Sequence, residues 1–455
     1  MRRLLGDEWD AFCEAFTSPL AVRGIRVNRL KCSVEQVTTL LPFALTPTPF
    51  CDDGLATAAA FRAGSDPLHH AGAYYVQEPS AMSAVTVLAP CRGERVLDVC
   101  AAPGGKSTQI AATLQGEGLL WCNEYVPSRA RILAQNLERC GVRNAVVSAG
   151  DTAQLIHLRD GFDAVLADVP CSGEGMFRKE PEALEQWSED NIRLCAARGQ
   201  EILNNAASCV RPGGRLVLST CTFAPEENEW AVVRFLRTHP DFELIDSGVT
   251  FGREGFDADR IASFGEAEER SFAHTVPLAY CRRILPQDGG EGHFMARFVR
   301  KGDACATIKP YCFPKTDEAV RLAAELYAEC FTDAPSGSFV RFGDTVRLLP
   351  TGMPDTQGVS VLCAGVAAAQ LRTGRVLRVE PSHALFQSAK AAQCRRLLSL
   401  PPDDSRLTAF LHGEELAVDL PNGYTAVAVD KMVTGFGKVS SGRLKNHYPK
   451  GLRLL

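Results

Sequence analysis

At 455 residues the chain exceeds what one ordinary core organises, so two to four domains are expected. Hydrophobic residues make up 45% and charged residues 23%, the balance of a soluble globular protein. No apolar run reaches the ~18 residues of a membrane span, and the first residues lack the apolar core of a secretory leader. A net charge of −5 supplies no general attraction to polyanions. The 17 cysteines are odd in number and form no CxxC pair, which excludes a zinc ribbon or thioredoxin-type motif and argues for reduced thiols. The expectations are a cytoplasmic location, no membrane association, no metal and a monomeric state.

In chain order, residues 1–75 read as a small α/β module. Arg23 to Asn28 has strand character, and Ser33 to Leu41 reads as a capped helix. From 76 to 300 strand and helix patterns alternate, as in a parallel sheet wrapped by helices. The strands are expected at Arg95–Val99, Gly118–Asn123, Asn144–Ser148, Phe162–Ala167, Arg215–Ser219, Phe242–Ile245 and His293–Val299. The clearest helices are Pro127–Cys140, Pro181–Val210 and Pro225–Thr238. Residues 301–375 read as a connecting domain with a helix at Thr316–Phe331, and residues 376–455 as a β-rich domain. From Lys431 onward there are six basic residues, Arg443, Lys445 and Lys450 among them, and no acidic one. That patch suits nucleic acid, and a solvated basic tail accounts for it equally.

The segment Asp98-Val99-Cys100-Ala101-Ala102-Pro103-Gly104-Gly105-Lys106-Ser107 is the end of a strand, a small-residue loop and the start of a helix. Small residues there admit a ligand to backbone N–H groups at a helix N-terminus. Gly105-Lys106-Ser107 matches the end of a phosphate-binding P-loop, but that motif needs glycine at position 100, where this chain has cysteine. Glu124 lies 19 residues beyond Gly105, at the end of the next strand, where an acid typically binds ribose hydroxyls. Asp151 follows the third strand, well placed for an adenine amino group. A loop and two strand-end acids without a dinucleotide fingerprint fit S-adenosylmethionine better than NAD. Either acid alone could instead be a helix cap or a surface charge, and for an isolated aspartate that plainer reading wins.

Two further strands end in cysteine motifs, Asp168-Val169-Pro170-Cys171-Ser172-Gly173 and Ser219-Thr220-Cys221-Thr222. Methyltransferases that act on exocyclic amines commonly carry Asp/Asn-Pro-Pro-aromatic after the fourth strand. Here a thiol replaces the stacking ring, which makes sense for a ring-carbon target. Carbon 5 of cytosine is a weak nucleophile until a thiolate adds at carbon 6. Asp168 stands where an acidic group would stabilise the protonated ring, and a second thiol could assist release. Taken singly, either cysteine is also a plausible small buried residue.

Together the PCSG motif, the TCT motif and the CAAPGGK loop resemble the RNA cytosine-5 methyltransferases of the Nol/Nop/Sun group. The resemblance implies a Rossmann-like S-adenosylmethionine-dependent methyltransferase core. It implies that Cys221 is the nucleophile, that Cys171 assists product release, and that Asp168 acts beside them. Residues 100–106 (Cys100, Ala101, Ala102, Pro103, Gly104, Gly105, Lys106), with Glu124, Asp151 and Asp168, are then expected to hold the cofactor, Cys100 packing beneath the loop. Arg178 and Lys179 are candidate RNA contacts, with a solvent-facing pair as the alternative. The C-terminal half, through Arg283-Ile284-Leu285-Pro286 and Ser441 to Arg453, resembles the bacterial small-subunit ribosomal RNA methyltransferase F (RsmF) type. That type implies a C-terminal PUA-like RNA-binding domain and, as partner, 16S ribosomal RNA or the small ribosomal subunit. Gln287 and His293 depart from its pattern, His293 standing in place of an aromatic, and neither is expected to touch the chemistry. The alternatives are a transfer RNA cytosine-5 methyltransferase and a non-catalytic ribosome assembly factor.

Overall fold

The computed structural model describes residues 1–18, 23–58, 60–306, 308–372, 374 and 376–454. The N-terminal region divides between two neighbours. The helix Trp9–Thr17 packs on the core of the chain, with Phe12 edge-on to Phe223 at 5.4 Å and Phe16 edge-on to Phe177 at 6.4 Å. The rest builds a small sheet of strands β1 (Arg23–Val27), β2 (Thr46–Pro47), β3 (Gly54–Thr57) and β4 (Tyr74–Val76), in the order β2-β3-β1-β4. The capped helix is present at Val34–Leu40. Ser33 accepts from the Gln36 N–H while the Gln36 side chain accepts from the Ser33 N–H, a reciprocal cap that satisfies two otherwise unpaired donors.

The second sheet has ten strands. Nine of them are β5 (Arg95–Asp98), β6 (Leu119–Glu124), β7 (Ala145–Ala149), β8 (Phe162–Asp168), β9 (Val210–Thr220), β10 (Phe242–Ile245), β11 (Arg253–Glu254), β12 (Arg282–Ile284) and β13 (His293–Arg300). Strands β5 to β9 are mutually parallel, in the spatial order β9-β8-β5-β6-β7. The chain steps outward from β5 to β7 and then crosses back to β8, so the order reverses between β5 and β8. At such a switch point a crevice opens beyond the strands' carboxyl ends, here Asp98 and Asp168. Both faces of these strands are covered, so their middles are apolar, and every residue of β6 is buried. Trp121 fits there because its indole N–H donates to Ser148 Oγ at 2.9 Å.

Two expected helices differ from the structure. The span from Pro181 is broken at Trp187 and Ser188: Ser188 turns out to cap a new helix, Glu189–Cys209, accepting from the Asn191 N–H at 3.0 Å. The helix expected from Pro225 begins only at Glu229. The preceding Asn228 is fully buried and spends its side chain on Thr220 Oγ1 and the Thr222 carbonyl.

Beyond Lys301 the structure has a helix Glu318–Cys330 and strands β14 (Ser338–Phe342), β15 (Thr345–Leu349), β16 (Val361–Ala364), β17 (Val366–Arg372) and β18 (Arg378–Pro381). Strand β16 pairs antiparallel with β7 and forms the tenth strand of the core sheet, at its edge. The other four make a separate antiparallel sheet, in the order β14-β15-β17-β18, whose strands fall on both sides of the boundary expected between 301–375 and 376–455. The last sheet comprises β19 (Leu397–Leu400), β20 (Leu416–Ala417), β21 (Gly423–Val429), β22 (Met432–Ser440) and β23 (Arg443–Asn446), in the order β19-β21-β22-β23-β20. It shares one apolar core with the N-terminal sheet, where Val27, Leu68 and Tyr74 meet Phe410, Leu444 and Tyr448. The Tyr448 hydroxyl lies 2.8 Å from His70 Nδ1, and the Gln387 amide donates to the carbonyls of His70 and Arg139. Among the described residues no helix is long and apolar enough to cross a membrane.

Candidate active site

Strands β8 and β9 lie side by side in parallel, with Asp168 opposite Ser219. The loops that leave them therefore start from one place, and the two motif cysteines meet. Cys171 Sγ and Cys221 Sγ are 3.3 Å apart, and the Cys221 N–H is 3.3 Å from Cys171 Sγ. The loops are bound to each other. The Ser172 N–H and hydroxyl both donate to Glu227, at 3.0 and 2.5 Å, and Ser172 Oγ lies 2.7 Å from Thr222 Oγ1. Glu174 accepts from the Phe223 N–H at 2.9 Å and from the Thr222 hydroxyl at 3.1 Å. The hydrogen bond to Cys221, together with burial, pushes the Cys171 thiol well above its ordinary range. Burial raises Glu227 to about 7, although the bonds from Ser172 oppose it.

Asp168 is held on both oxygens. Lys106 Nζ lies 2.8 Å from one, and the Ser219 hydroxyl donates to the other at 2.8 Å. Burial alone would raise this carboxyl, but the Lys106 ammonium outweighs burial and holds it below its usual range. Burial opposes the charge on Lys106 as well, and Asp168 restores it, leaving that ammonium above its usual range. The pair is an ion pair, so Asp168 faces a substrate as an acceptor. Behind Ser219 stands His293, with Nε2 2.7 Å from the hydroxyl and 3% of the residue exposed. His293, expected to stay clear of the chemistry, therefore stands one hydroxyl away from Asp168. The signal was present in the sequence, an ionisable residue in a buried apolar strand, but the pairing of β13 with β9 was not. Under the loop, Asp98 accepts from the Ser107 hydroxyl at 2.7 Å and is raised by burial to about 7.

A cavity of about 600 Å³ connects these groups to the second and third strand ends. Its lining includes Cys100, Ala102, Glu124, Asp151, Asp168, Cys171 and Cys221. Tyr125, Arg129, Thr152, Arg198 and Ile202 complete much of the wall; the sequence offered no pattern that marks them. Glu124 accepts from the Val126 N–H at 3.0 Å, and Asp151 caps the following turn by accepting from the Ala153 N–H at 2.8 Å. Each acid is thus both a cap and a wall of the cavity. Cys100, expected to pack beneath the loop, instead lines the cavity, and burial pushes its thiol well up. Ala101, Pro103, Gly104 and Gly105 form the loop behind that wall. The Ala101 N–H donates to the Asn123 carbonyl at 2.8 Å, and the Pro103 carbonyl accepts from the Asn136 amide at 2.9 Å. Gly104 has φ +115°, and a Cβ there would stand 3.2 Å from Leu133, so glycine serves backbone geometry and packing at this position.

The candidate RNA cations fall in two places. Arg178 and Lys179 are no solvent-facing pair: both turn to the buried Glu291 carboxylate, at 3.4 and 3.6 Å, and Arg178 also donates to the Ser18 carbonyl. Arg443, Lys445 and Lys450 are exposed on the C-terminal domain. Lys438 sits opposite Lys445 across β22 and β23, with Nζ 4.8 Å from the centre of the Tyr424 ring. Among the described residues no group of three or more His, Cys, Asp or Glu is arranged to hold a metal ion.

A switch-point cavity walled by two strand-end acids, in a parallel sheet extended by antiparallel strands, defines a Rossmann-like methyltransferase core. Comparison with known families narrows this. Residues 85–299 match the model for 16S rRNA methyltransferase RsmB/F, residues 1–79 the N-terminal domain of 16S rRNA methyltransferase RsmF, and residues 398–454 the RsmF PUA domain. The chain belongs to this methyltransferase family, and carries its core, N-terminal module and C-terminal PUA domain. It is 39% identical over 312 residues to ribosomal RNA small subunit methyltransferase F of Escherichia fergusonii, covering 66% of this chain and 61% of that protein. To the same-named protein of Escherichia coli O17:K52:H18 it is 40% identical over 316 residues, with the same shares covered. The matched region thus spans about three fifths of these relatives' length. A solved methyltransferase homolog from Pyrococcus horikoshii has a TM-score of 0.57 at 29% identity, covering 66% of this chain and 92% of that one. NSun6 from the same organism has a TM-score of 0.55 at 21% identity, covering 66% and 97%.

Proposed function

We propose that this protein transfers a methyl group from S-adenosylmethionine to carbon 5 of a cytosine in small-subunit (16S) ribosomal RNA, through a covalent bond from Cys221 to carbon 6. The observation that carries this reading is the meeting of two thiols, 3.3 Å apart, in a cavity also walled by Glu124 and Asp151. The donor set fits the cofactor. Glu124 and Asp151 suit its ribose and adenine, and Cys100 and Ala102 are small enough to leave the cavity open. When bound, S-adenosylmethionine supplies an electrophilic methyl group.

The chain's own residues do the rest. The Cys221 thiolate adds to carbon 6, and the displaced ring electrons make carbon 5 nucleophilic. Asp168, kept ionised by Lys106, accepts a hydrogen bond from the protonated ring and holds its plane against the thiols. After methylation solvent takes the carbon 5 proton, the electrons of that C–H bond restore the ring double bond, the bond to Cys221 breaks with help from Cys171 to return the thiolate, and the ring nitrogen gives back its proton to solvent. The target base must be unpaired or flipped to enter such a pocket.

In this reading residues 76–300 are the catalytic domain and 301–375 a connector, while 1–75 and 376–455 bring the RNA. Arg443, Lys445 and Lys450 meet phosphates, and the protein works as a cytoplasmic monomer on ribosomal RNA or the small subunit.

The test is transfer of radiolabelled methyl to transfer RNA, naked small-subunit ribosomal RNA and the assembled subunit, with Cys221→Ala alongside. Label in a ribosomal sample that falls below about 1% in the variant is the expected result. Label in transfer RNA alone overturns the substrate. No label anywhere overturns the enzymatic reading in favour of a non-catalytic assembly factor.

A further inference from the structure

We propose that His293 is a positioning residue for this reaction: its Nε2–H holds the Ser219 hydroxyl in the orientation that donates to Asp168, which keeps that carboxylate ionised and turned to the cavity. The inference rests on the function proposed above for Asp168.

Ser219 has a single hydroxyl proton and two partners, Asp168 Oδ1 at 2.8 Å and His293 Nε2 at 2.7 Å. It cannot donate to both. The carboxylate has no proton to give, because Lys106 at 2.8 Å holds it charged. Ser219 therefore donates to Asp168, and Nε2 must carry the proton that Ser219 accepts. The imidazole stays neutral: burial first and the Lys106 charge second lower it to about 3, against Asp168 and the Gly292 backbone, which raise it. The result is a chain of fixed polarity from β13 through β9 to β8. It runs from His293 to Ser219 to Asp168, with Lys106 on the far oxygen of Asp168. A phenylalanine ring at position 293 would offer no such donor. Ser219 would then be free to rotate away from Asp168.

The charged and titratable groups that face Asp168 come from four elements. They are Lys106 at the head of the Gly105–Leu114 helix, Asp98 and Cys100 at the end of β5, Cys221 after β9, and His293 on β13. Of these only Lys106 is a cation, so loss of the Ser219 bond leaves a single group holding the carboxylate charged. Its proton affinity then rises, and so does the pH below which the enzyme loses activity.

The experiment uses the full chain and the RNA that accepts methyl. His293→Phe should move the acid limb of the kcat/KM profile up by about one pH unit or more, and Ser219→Ala should do the same. The double variant should add nothing to either single change. His293→Gln, whose amide keeps a donor, should stay within about 0.3 unit of the parent. A structural role alone would lower activity without moving the limb, and an unmoved limb in folded His293→Phe overturns the proposal. A second readout needs no RNA. In protein labelled with 15N-histidine, the His293 resonance, identified by its loss in His293→Phe, should report a neutral ring protonated on Nε2 at about pH 5. An Nδ1–H ring overturns the proposal whatever the activity. An Nε2–H ring in a protein that methylates no RNA sinks the functional reading instead, and leaves the hydrogen-bond chain standing.

Discussion

Glu229→Gln should cost this protein about 3–5 kcal/mol of stability, because it strands a buried arginine. Glu229 and Arg283 have side-chain exposures of 0% and 2% and form a two-pronged pair, with Arg283 Nε 2.7 Å from Glu229 Oε1 and Nη2 on Oε2. The guanidinium also lies over the ring of Phe256, at 4.2 Å from its centre, and over that of Phe294, at 5.4 Å. Both groups are buried, so the amide variant leaves a full charge facing a neutral partner. Against a typical total of roughly 5–15 kcal/mol, such a loss is severe, and for a chain of 455 residues unfolding as one unit it corresponds to a drop of about 3–5 °C in unfolding temperature. It also reaches the catalytic loop, since Arg283 Nη1 donates at 3.0 Å to the carbonyl of Phe223, two residues beyond Cys221. The double variant Glu229→Met with Arg283→Met removes both charges but leaves the Phe256 N–H and the Phe223 carbonyl without these partners, which costs about 1–3 kcal/mol for each group. It should therefore recover part of the loss and not all of it. Urea titration followed by tryptophan fluorescence, with Trp230 buried beside Glu229, measures the effect. A Glu229→Gln variant within about 1 kcal/mol of the parent would refute the reasoning.

Cys171→Ala should accumulate a covalent protein–RNA adduct, seen as a slow band in a denaturing gel. Normal turnover with no such band would remove Cys171 from the release step. Glu227 gives a pH prediction. Its folded value of about 7 lies above the ordinary 4.5, so its contribution is complete below about pH 4.5 and is lost as pH rises through 7, amounting to about 3 kcal/mol. Glu227→Gln should thus gain about that much on the parent between about pH 5 and pH 9, and stability curves that stay parallel over that range would contradict it. For RNA binding, truncation is the wrong perturbation, because the C-terminal sheet shares its core with the N-terminal module. Changing Arg443 and Lys445 together to alanine should instead lower the salt slope of RNA affinity by about 1.4–1.8 if each neutralises one phosphate. An unchanged slope would take these two residues out of the RNA site.

Strand-forming runs, the Ser33 cap, the glycine loop and the two cysteine motifs are legible in the amino-acid order alone. Each depends on residues within a few positions of one another, where hydrophobic periodicity, turn residues and caps act. From those motifs the family and its core could be recognised before any coordinates. The meeting of Cys171 with Cys221 follows only once β8 and β9 are known to be adjacent and in register. Position 293 reads as a mere departure from a pattern until β13 pairs with β9 and brings its ring to Ser219. Arg178 and Lys179 look like exposed cations until Glu291, more than a hundred residues later, draws them inward. Strand β16 looks like part of a connector until it completes the edge of the core sheet. In each case the deciding contact joins segments far apart in the chain. Strand order and register, set by burial of the whole core, choose such partners, and no local pattern of residue types encodes that choice.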